Sequence, residues 1–237
     1  MNRAALASVI FVVACGDDAA KGDAAPPVVD IDNGTCGDQL RFTGELVDWD
    51  STETQFCGVF GATVQVQPTG AMHTTPPNGR LDLCIPATDP TTRVLVTPSA
   101  DPSQCAGSTY PIPAVLVANR DVIRAGAAYS ARMFTAMRET SLFTQIGATF
   151  DPAKAQLLVF VAGTPRAVAI AAAHATTQAY AAATGTWSAG ATGIYVFFPN
   201  VDPAGGTTML IVDGGALGAG TVPLVAGQLA AINVYAM

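Results

Sequence analysis

Apolar and polar residues alternate along much of this chain, and the alternation predicts strands. Phe42 to Val47 and Leu157 to Val161 read as first strands of two similar stretches. In Gly61-Ala62-Thr63-Val64-Gln65-Val66, Ala62, Val64 and Val66 fall on one face; Ala167-Val168-Ala169-Ile170 is its counterpart. Gly79-Arg80-Leu81-Asp82-Leu83-Cys84-Ile85-Pro86 is followed by Asp89-Pro90, Thr91-Thr92 and the apolar Val94-Leu95-Val96. Gly193-Ile194-Tyr195-Val196-Phe197-Phe198-Pro199 is followed by Asp202-Pro203, Thr207-Thr208 and Met209-Leu210-Ile211-Val212. This is an internal repeat, with Pro ending one strand and Asp-Pro starting the turn to the next. Closing strands are expected at Ala114 to Val117 and at Ala230 to Tyr235. Between the copies, Tyr129, Met133, Phe134, Met137 and Ile146 sit near helical spacing, which predicts a connecting helix within 126–150. The Ala-rich stretch 167–183 has Thr176, Thr177 and Tyr180, and its place in the repeat predicts strand, turn and strand.

The expected fold is therefore mostly β: two tandem antiparallel β-sandwich units, 36–125 and 151–237, joined by a short helix. The first copy resembles the carboxypeptidase regulatory-like, or prealbumin-like, family. The residues that carry the likeness are Phe42-Thr43-Gly44-Glu45-Leu46-Val47, Gly61 to Val66, and Thr75-Pro76-Pro77-Asn78-Gly79-Arg80-Leu81-Asp82-Leu83, with Leu81 in place of the usual Phe. It covers 36–118, and more faintly 155–237. The resemblance implies an accessory sandwich that supports neighbours or binds proteins or glycans. It does not imply a peptidase, because neither His has a Glu three residues on.

The N-terminus has its own pattern. Met1-Asn2-Arg3 is positive, and Ala4 to Ala14 is apolar but too short to span a bilayer. Val12-Val13-Ala14-Cys15 resembles a bacterial lipobox, which implies cleavage after residue 14 and lipid on Cys15, the membrane being reached through that lipid. Residues 15–35 carry Asp, Ala, Gly, Lys and Pro and read as a tether. Gly16 after the Cys points to the outer membrane or cell surface.

Four cysteines remain: Cys36, Cys57, Cys84 and Cys105. An even number in an exported chain predicts two disulfides. Three pairings are open. Joining Cys57 to Cys84, with Cys36 to Cys105 closing the rest, is the arrangement the strand order favours. No Cys-x-x-Cys spacing suggests zinc, and no metal or cofactor is expected.

Net charge is −7, with only 12% charged residues and no basic run, which argues against nucleic acid. Half the residues are hydrophobic, enough for real cores. His73 and His174 lie among Thr and Ala and read as surface or hydrogen-bonded residues rather than bases. Gly-x-Ser-x-Gly and His-Glu-x-x-His are absent from the sequence. Asp30-Ile31-Asp32-Asn33-Gly34 and Asp48-Trp49-Asp50 lack the ligand count of a calcium loop. Trp49 and Trp187 are candidates for a sugar-stacking platform, although a Trp beside a strand more often fills a core. The expectation is a non-catalytic envelope module with a protein or carbohydrate partner. An exported hydrolase is the alternative, and it requires His73 or His174 beside a Ser and an Asp.

Overall fold

The structure is a computed structural model, and it describes residues 36–52 and 54–236. The lipidation expected at Cys15 and the tether lie outside the described residues.

The chain is mostly β. In order it runs β1 (Leu40–Asp48), β2 (Thr63–Gln67), β3 (Met72–Thr74), β4 (Arg80–Ile85), β5 (Thr91–Thr97), β6 (Ala114–Asn119), α1 (Arg120–Arg124), β7 (Tyr129–Met133) and α2 (Ala136–Gln145). The second half follows as β8 (Ala155–Ala162), β9 (Arg166–Ile170), β10 (Gln178–Ala181), β11 (Thr186–Ala189), β12 (Thr192–Gly193), β13 (Tyr195–Val201), β14 (Thr207–Val212), β15 (Ala216–Leu217), β16 (Gly220–Pro223) and β17 (Leu229–Ala236).

Three sheets are built from these strands. One is β4-β1-β7, one is β12-β9-β14-β16, and a long one runs β11-β10-β13-β8-β17-β6-β5-β2-β3, with β15 beside β17. Phe42, Leu46, Leu81, Leu83 and Met133 of the three-stranded sheet meet Val64, Val66, Val94, Val96 and Leu116 of the long sheet in one core. Leu157, Val159, Val196, Phe198, Ile232 and Val234 meet Val168, Leu210, Val212 and Val222 in a second. Alternation explains this: β5 has Thr92, Val94 and Val96 inside and Arg93 outside, and β4 has Leu81, Leu83 and Ile85 inside.

The pairing pattern recurs. Strand β1 takes β4 antiparallel and β7 parallel; β8 takes β13 antiparallel and β17 parallel. Likewise β5 lies between β2 and β6, and β14 between β9 and β16. The strand that matches β6 is therefore β16, and the one that matches β17 is β7. This corrects the pairing of closing strands expected from the repeat. The two halves then share a sheet, because β17 also pairs in parallel with β6.

The helix expected across 126–150 is shorter. Residues 129–133 form β7, and only Ala136–Gln145 is α2, started by Thr135, whose hydroxyl accepts from the Arg138 N–H at 3.3 Å. Tyr129 and Met133 satisfy both a spacing of four and a spacing of two. Ala131, buried between them while Ser130 and Arg132 face outward, fits only the strand. The Ala-rich stretch gives β9 and β10.

Glycine is required where β1 is crossed closely. A side chain on Gly44 would run into the Tyr129 backbone of β7, and one on Gly79, at φ 65°, into the Leu46 carbonyl.

Two disulfides form, with a pairing different from the favoured one. Cys36 bonds Cys84 and Cys57 bonds Cys105, with Cα separations of 5.4 and 5.9 Å. Register is the reason: Leu40 and Arg41 lie opposite Ile85 and Cys84, which brings Cys36, just before β1, over β4. Cys57 lies on the far side, bonded through its carbonyl to the Asp48 N–H at 2.9 Å. Non-reducing peptide mapping should recover the Cys36–Cys84 and Cys57–Cys105 links; a Cys57–Cys84 peptide would contradict the structure. Removing the second link as Cys57→Ala/Cys105→Ala should cost about 2–5 kcal/mol in chemical unfolding.

Candidate functional site

Both tryptophans are buried, each 6% exposed, so neither forms the open platform for which they were candidates. They meet at the seam between the two halves. Trp49 follows β1, Trp187 lies on β11, and their ring centroids are 5.2 Å apart. Phe134, Tyr180 and Tyr195 each place a ring centroid 5.0 Å from Trp49. Phe197 closes the group at 5.9 Å from both Phe134 and Trp187. Large rings in tilted and edge-on contact stabilise beyond their area alone.

A cleft of about 310 Å³ opens beside this cluster. Trp49, Asp50, Ser51 and Thr52 form one wall, Arg132 of β7 and Arg138 of α2 another, and Tyr180, Ala182, Ile194 and Tyr195 the third. The volume is at the small end of the roughly 300–1,000 Å³ typical of ligand sites, and the lining sets Asp50, Ser51, Thr52, Arg132 and Arg138 against aromatic and aliphatic side chains.

The first wall is held firmly. Asp48 is fully buried, and its Oδ2 accepts from the Ser103 hydroxyl and, at 3.0 Å, from the Tyr110 hydroxyl. Its Oδ1 accepts from the Asp50 N–H at 2.8 Å. The neighbouring Cys57–Cys105 link ties the Ser103 loop to the same place, and the Ser51 hydroxyl accepts from the Cys57 N–H at 3.0 Å. Burial pushes the Tyr110 hydroxyl above its usual pKa, so it stays protonated and keeps donating.

Arg132 crosses the seam. Its Nε donates to the Tyr195 hydroxyl at 3.0 Å, and Nη1 donates to the carbonyls of Trp49 at 3.0 Å, Ser51 at 3.2 Å and Asp48 at 3.4 Å. Its guanidinium carbon lies 5.8 Å from the Trp49 ring and 5.9 Å from that of Tyr195. Burial raises the Tyr195 pKa, with Arg132 acting in the opposite direction. Arg138 Nη2 donates to Asp50 Oδ1, and that bond raises the Arg138 pKa.

The histidines are elsewhere and apart. His73 Nε2 lies 3.2 Å from the Arg80 carbonyl. His174 uses Nδ1 on the Ala172 carbonyl at 2.8 Å and Nε2 on the Thr177 hydroxyl at 3.0 Å, with its ring against Phe198. None of these hydrogen bonds reaches a Ser or an Asp, the partners that the hydrolase alternative requires. Among the described residues, no group of three or more His, Cys, Asp or Glu is placed to hold a metal, and no helix is long and apolar enough to cross a membrane.

The sequence singled out Trp49 and Trp187 but not Arg132, Arg138, Tyr180 or Tyr195. Four basic and aromatic residues spread over 64 positions form no motif. The one available signal was Arg132, a charge within an otherwise apolar-alternating stretch.

No family model matches the chain, and no curated protein matches it. Among solved structures, it is similar to the shaft pilin SpaA from Lactobacillus rhamnosus GG, at 8% identity and a TM-score of 0.26, over 84% of this chain and 98% of the pilin. It is also similar to the TIE protein of Bacillus anthracis, at 10% identity and a TM-score of 0.24, over 84% of this chain and 34% of that one. Likeness at this level carries no argument about function.

Two outcomes test the seam. Trp49→Ala should cost about 3–5 kcal/mol in chemical unfolding, because a fully packed ring leaves a cavity touching both halves. Next to Arg138, Glu139 has a buried Oε2 without a hydrogen-bond partner among the described residues, and burial raises its pKa. An acid with a raised folded pKa contributes stability that is fully present below its unfolded pKa of about 4.3 and lost as pH rises through the folded value. Glu139→Gln should therefore raise the melting temperature at pH 7, and the gain should vanish at pH below 4.

Proposed function

We propose that this chain is an exported lipoprotein, anchored through Cys15, whose β-sandwich ectodomain is a non-catalytic binding module of the bacterial envelope. The observation that carries the reading is the pair of disulfides, Cys36–Cys84 and Cys57–Cys105, on a chain whose first residues resemble a lipoprotein signal. Such bonds form and persist in oxidising compartments. The prealbumin-like signature supports the same class: its glycines, Gly44 and Gly79, stand where close backbone crossings need them. We read the first unit as running through Met133 and the second as starting at Ala155, with α2 between them. Residues 16–35 would hold both off the membrane, on the outer membrane or cell surface.

The binding role rests on the seam cleft, which gathers rings and polar groups from both units. The two histidines are occupied locally, and each can be lost without consequence for binding.

The anchor is tested by detergent-phase partitioning of the full chain expressed in a bacterial host with a lipoprotein pathway. The wild-type protein should enter the detergent phase, with a modified Cys15 as its mature N-terminus by mass spectrometry. Cys15→Ala should move it to the aqueous phase. A wild-type protein that stays aqueous, or that begins at another residue, would end the reading.

A further inference from the structure

We infer that the seam cleft takes a neutral sugar ring, as one residue of an envelope or host glycan. This rests on reading the chain as a binding module and names the ligand class of that same site.

The charges of the cleft are already engaged with one another and with the backbone, which disfavours the other small-ligand classes. Asp50 is the carboxylate of the cleft lining and Arg132 and Arg138 are its cations, with Asp48 buried behind them on Ser103 and Tyr110. Asp50 and Arg138 are already paired, and Arg132 spends Nε and Nη1 on protein oxygens. An acidic ligand would have to compete with Asp50 for Arg138, and a cationic one would meet two guanidiniums. A neutral ring carrying many hydroxyls avoids both costs. Each guanidinium has five N–H donors, more than these contacts use. Asp50, Ser51 and Thr52 add oxygens that accept or donate. The hydroxyls of a sugar match a mixed set of this kind.

The apolar lining fits the other face of such a ring. Tyr180, half-buried, is the ring the cleft exposes, and the buried Trp49 and Tyr195 hold it in place from behind. Aromatic rings held rigid by their neighbours supply flat area for the C–H face of a sugar at low entropic cost. Rigidity is visible in the Asp48 hydrogen bonds, the Cys57–Cys105 link and the four carbonyl and hydroxyl contacts of Arg132. A site organised before binding loses less on closing around its ligand.

The larger concavity, about 410 Å³ on the outer side of β14, lacks this character. It is walled by Ala171, Ala172, Ala173 and Met209, and its carboxylate, Asp202, lies 3.6 Å from Lys154.

The chain has two tryptophans, both in the aromatic cluster, so intrinsic fluorescence reports on the seam alone. The full chain, purified in a detergent without a sugar headgroup, is titrated separately with maltose, cellobiose, lactose and chitobiose, and with digalacturonic acid as the charged control. At least one neutral disaccharide should give a saturable change in emission. Tyr180→Leu, which removes a ring, should weaken it at least tenfold. Ala182→Phe, an exposed substitution that plugs the cleft, should abolish it while leaving the circular dichroism spectrum unchanged. Met209→Ser, on the distant face, should leave it intact. No response to any neutral disaccharide up to about 10 mM, where affinity is weaker than millimolar, would overturn the inference. So would a response that survives in folded Ala182→Phe, or one given only by the acidic sugar. A failed titration with intact detergent partitioning sinks the sugar site and leaves the anchored module standing.

Discussion

Strand β17 is the constraint on which the rest of the structure depends. It pairs in parallel with β8 on one side and with β6 on the other, so its backbone is committed to both halves at once. Leu229 to Val234 are all buried, on both faces. Such a strand cannot take its register from alternation, because every residue is apolar or enclosed whichever way it slips. Two tyrosines supply what alternation does not. The Tyr129 hydroxyl donates to the Ala231 carbonyl at 2.5 Å, and the Tyr235 hydroxyl donates to the Ala128 carbonyl at 2.8 Å. Burial pushes the Tyr129 pKa up, so the hydroxyl remains a donor. Gly218, at φ 91°, lets the chain pass close to the Asn233 carbonyl, where a side chain would collide.

The seam follows from that seat. Strands β8, β13 and β17 turn one face to their own sandwich core, and the other face carries Leu158, Tyr195, Phe197, Leu229 and Ala231. Once β17 is held against β6, that second face lies under β7 and α2 of the first half. Rings from both halves fill the space, and Arg132 satisfies the carbonyls at the end of β1. The cleft is what is left where the ring packing stops and the Asp48–Thr52 segment begins. Its walls therefore come from both halves, and it would not exist in either one alone.

Much of the strand layout was legible because most strands have one core face. Thr92, Val94 and Val96, or Leu81, Leu83 and Ile85, write their burial directly into the alternation. What was hidden shares one cause: contacts at long sequence separation. Tyr129 and Met133 fit helix and strand equally, and the decisive neighbour of β7 is β1, 85 residues away at the Gly44–Tyr129 pair. The disulfide pairing depends on the β1–β4 register, which spacing alone does not contain. The tryptophans were ambiguous because a ring beside a strand is buried or bare according to what covers it. Here the cover of Trp49 is Tyr180, Trp187 and Tyr195, from the other half of the chain.

The shared sheet also bears on how this molecule meets others. Two separate sandwiches would each present a free edge, one at β6 and one at β17, each with a row of unpaired backbone groups. Pairing these edges with each other removes both. The long sheet then ends at β3, three residues, and β11, four residues, too short to template a long added strand. Strand addition, an obvious route for an open sandwich, is thus weakest on this sheet. On this sheet it is at the seam that polar and aromatic side chains converge. Fusing the sheets protects the backbone and creates the concave surface in the same step, since both require β17 to stand between the two halves.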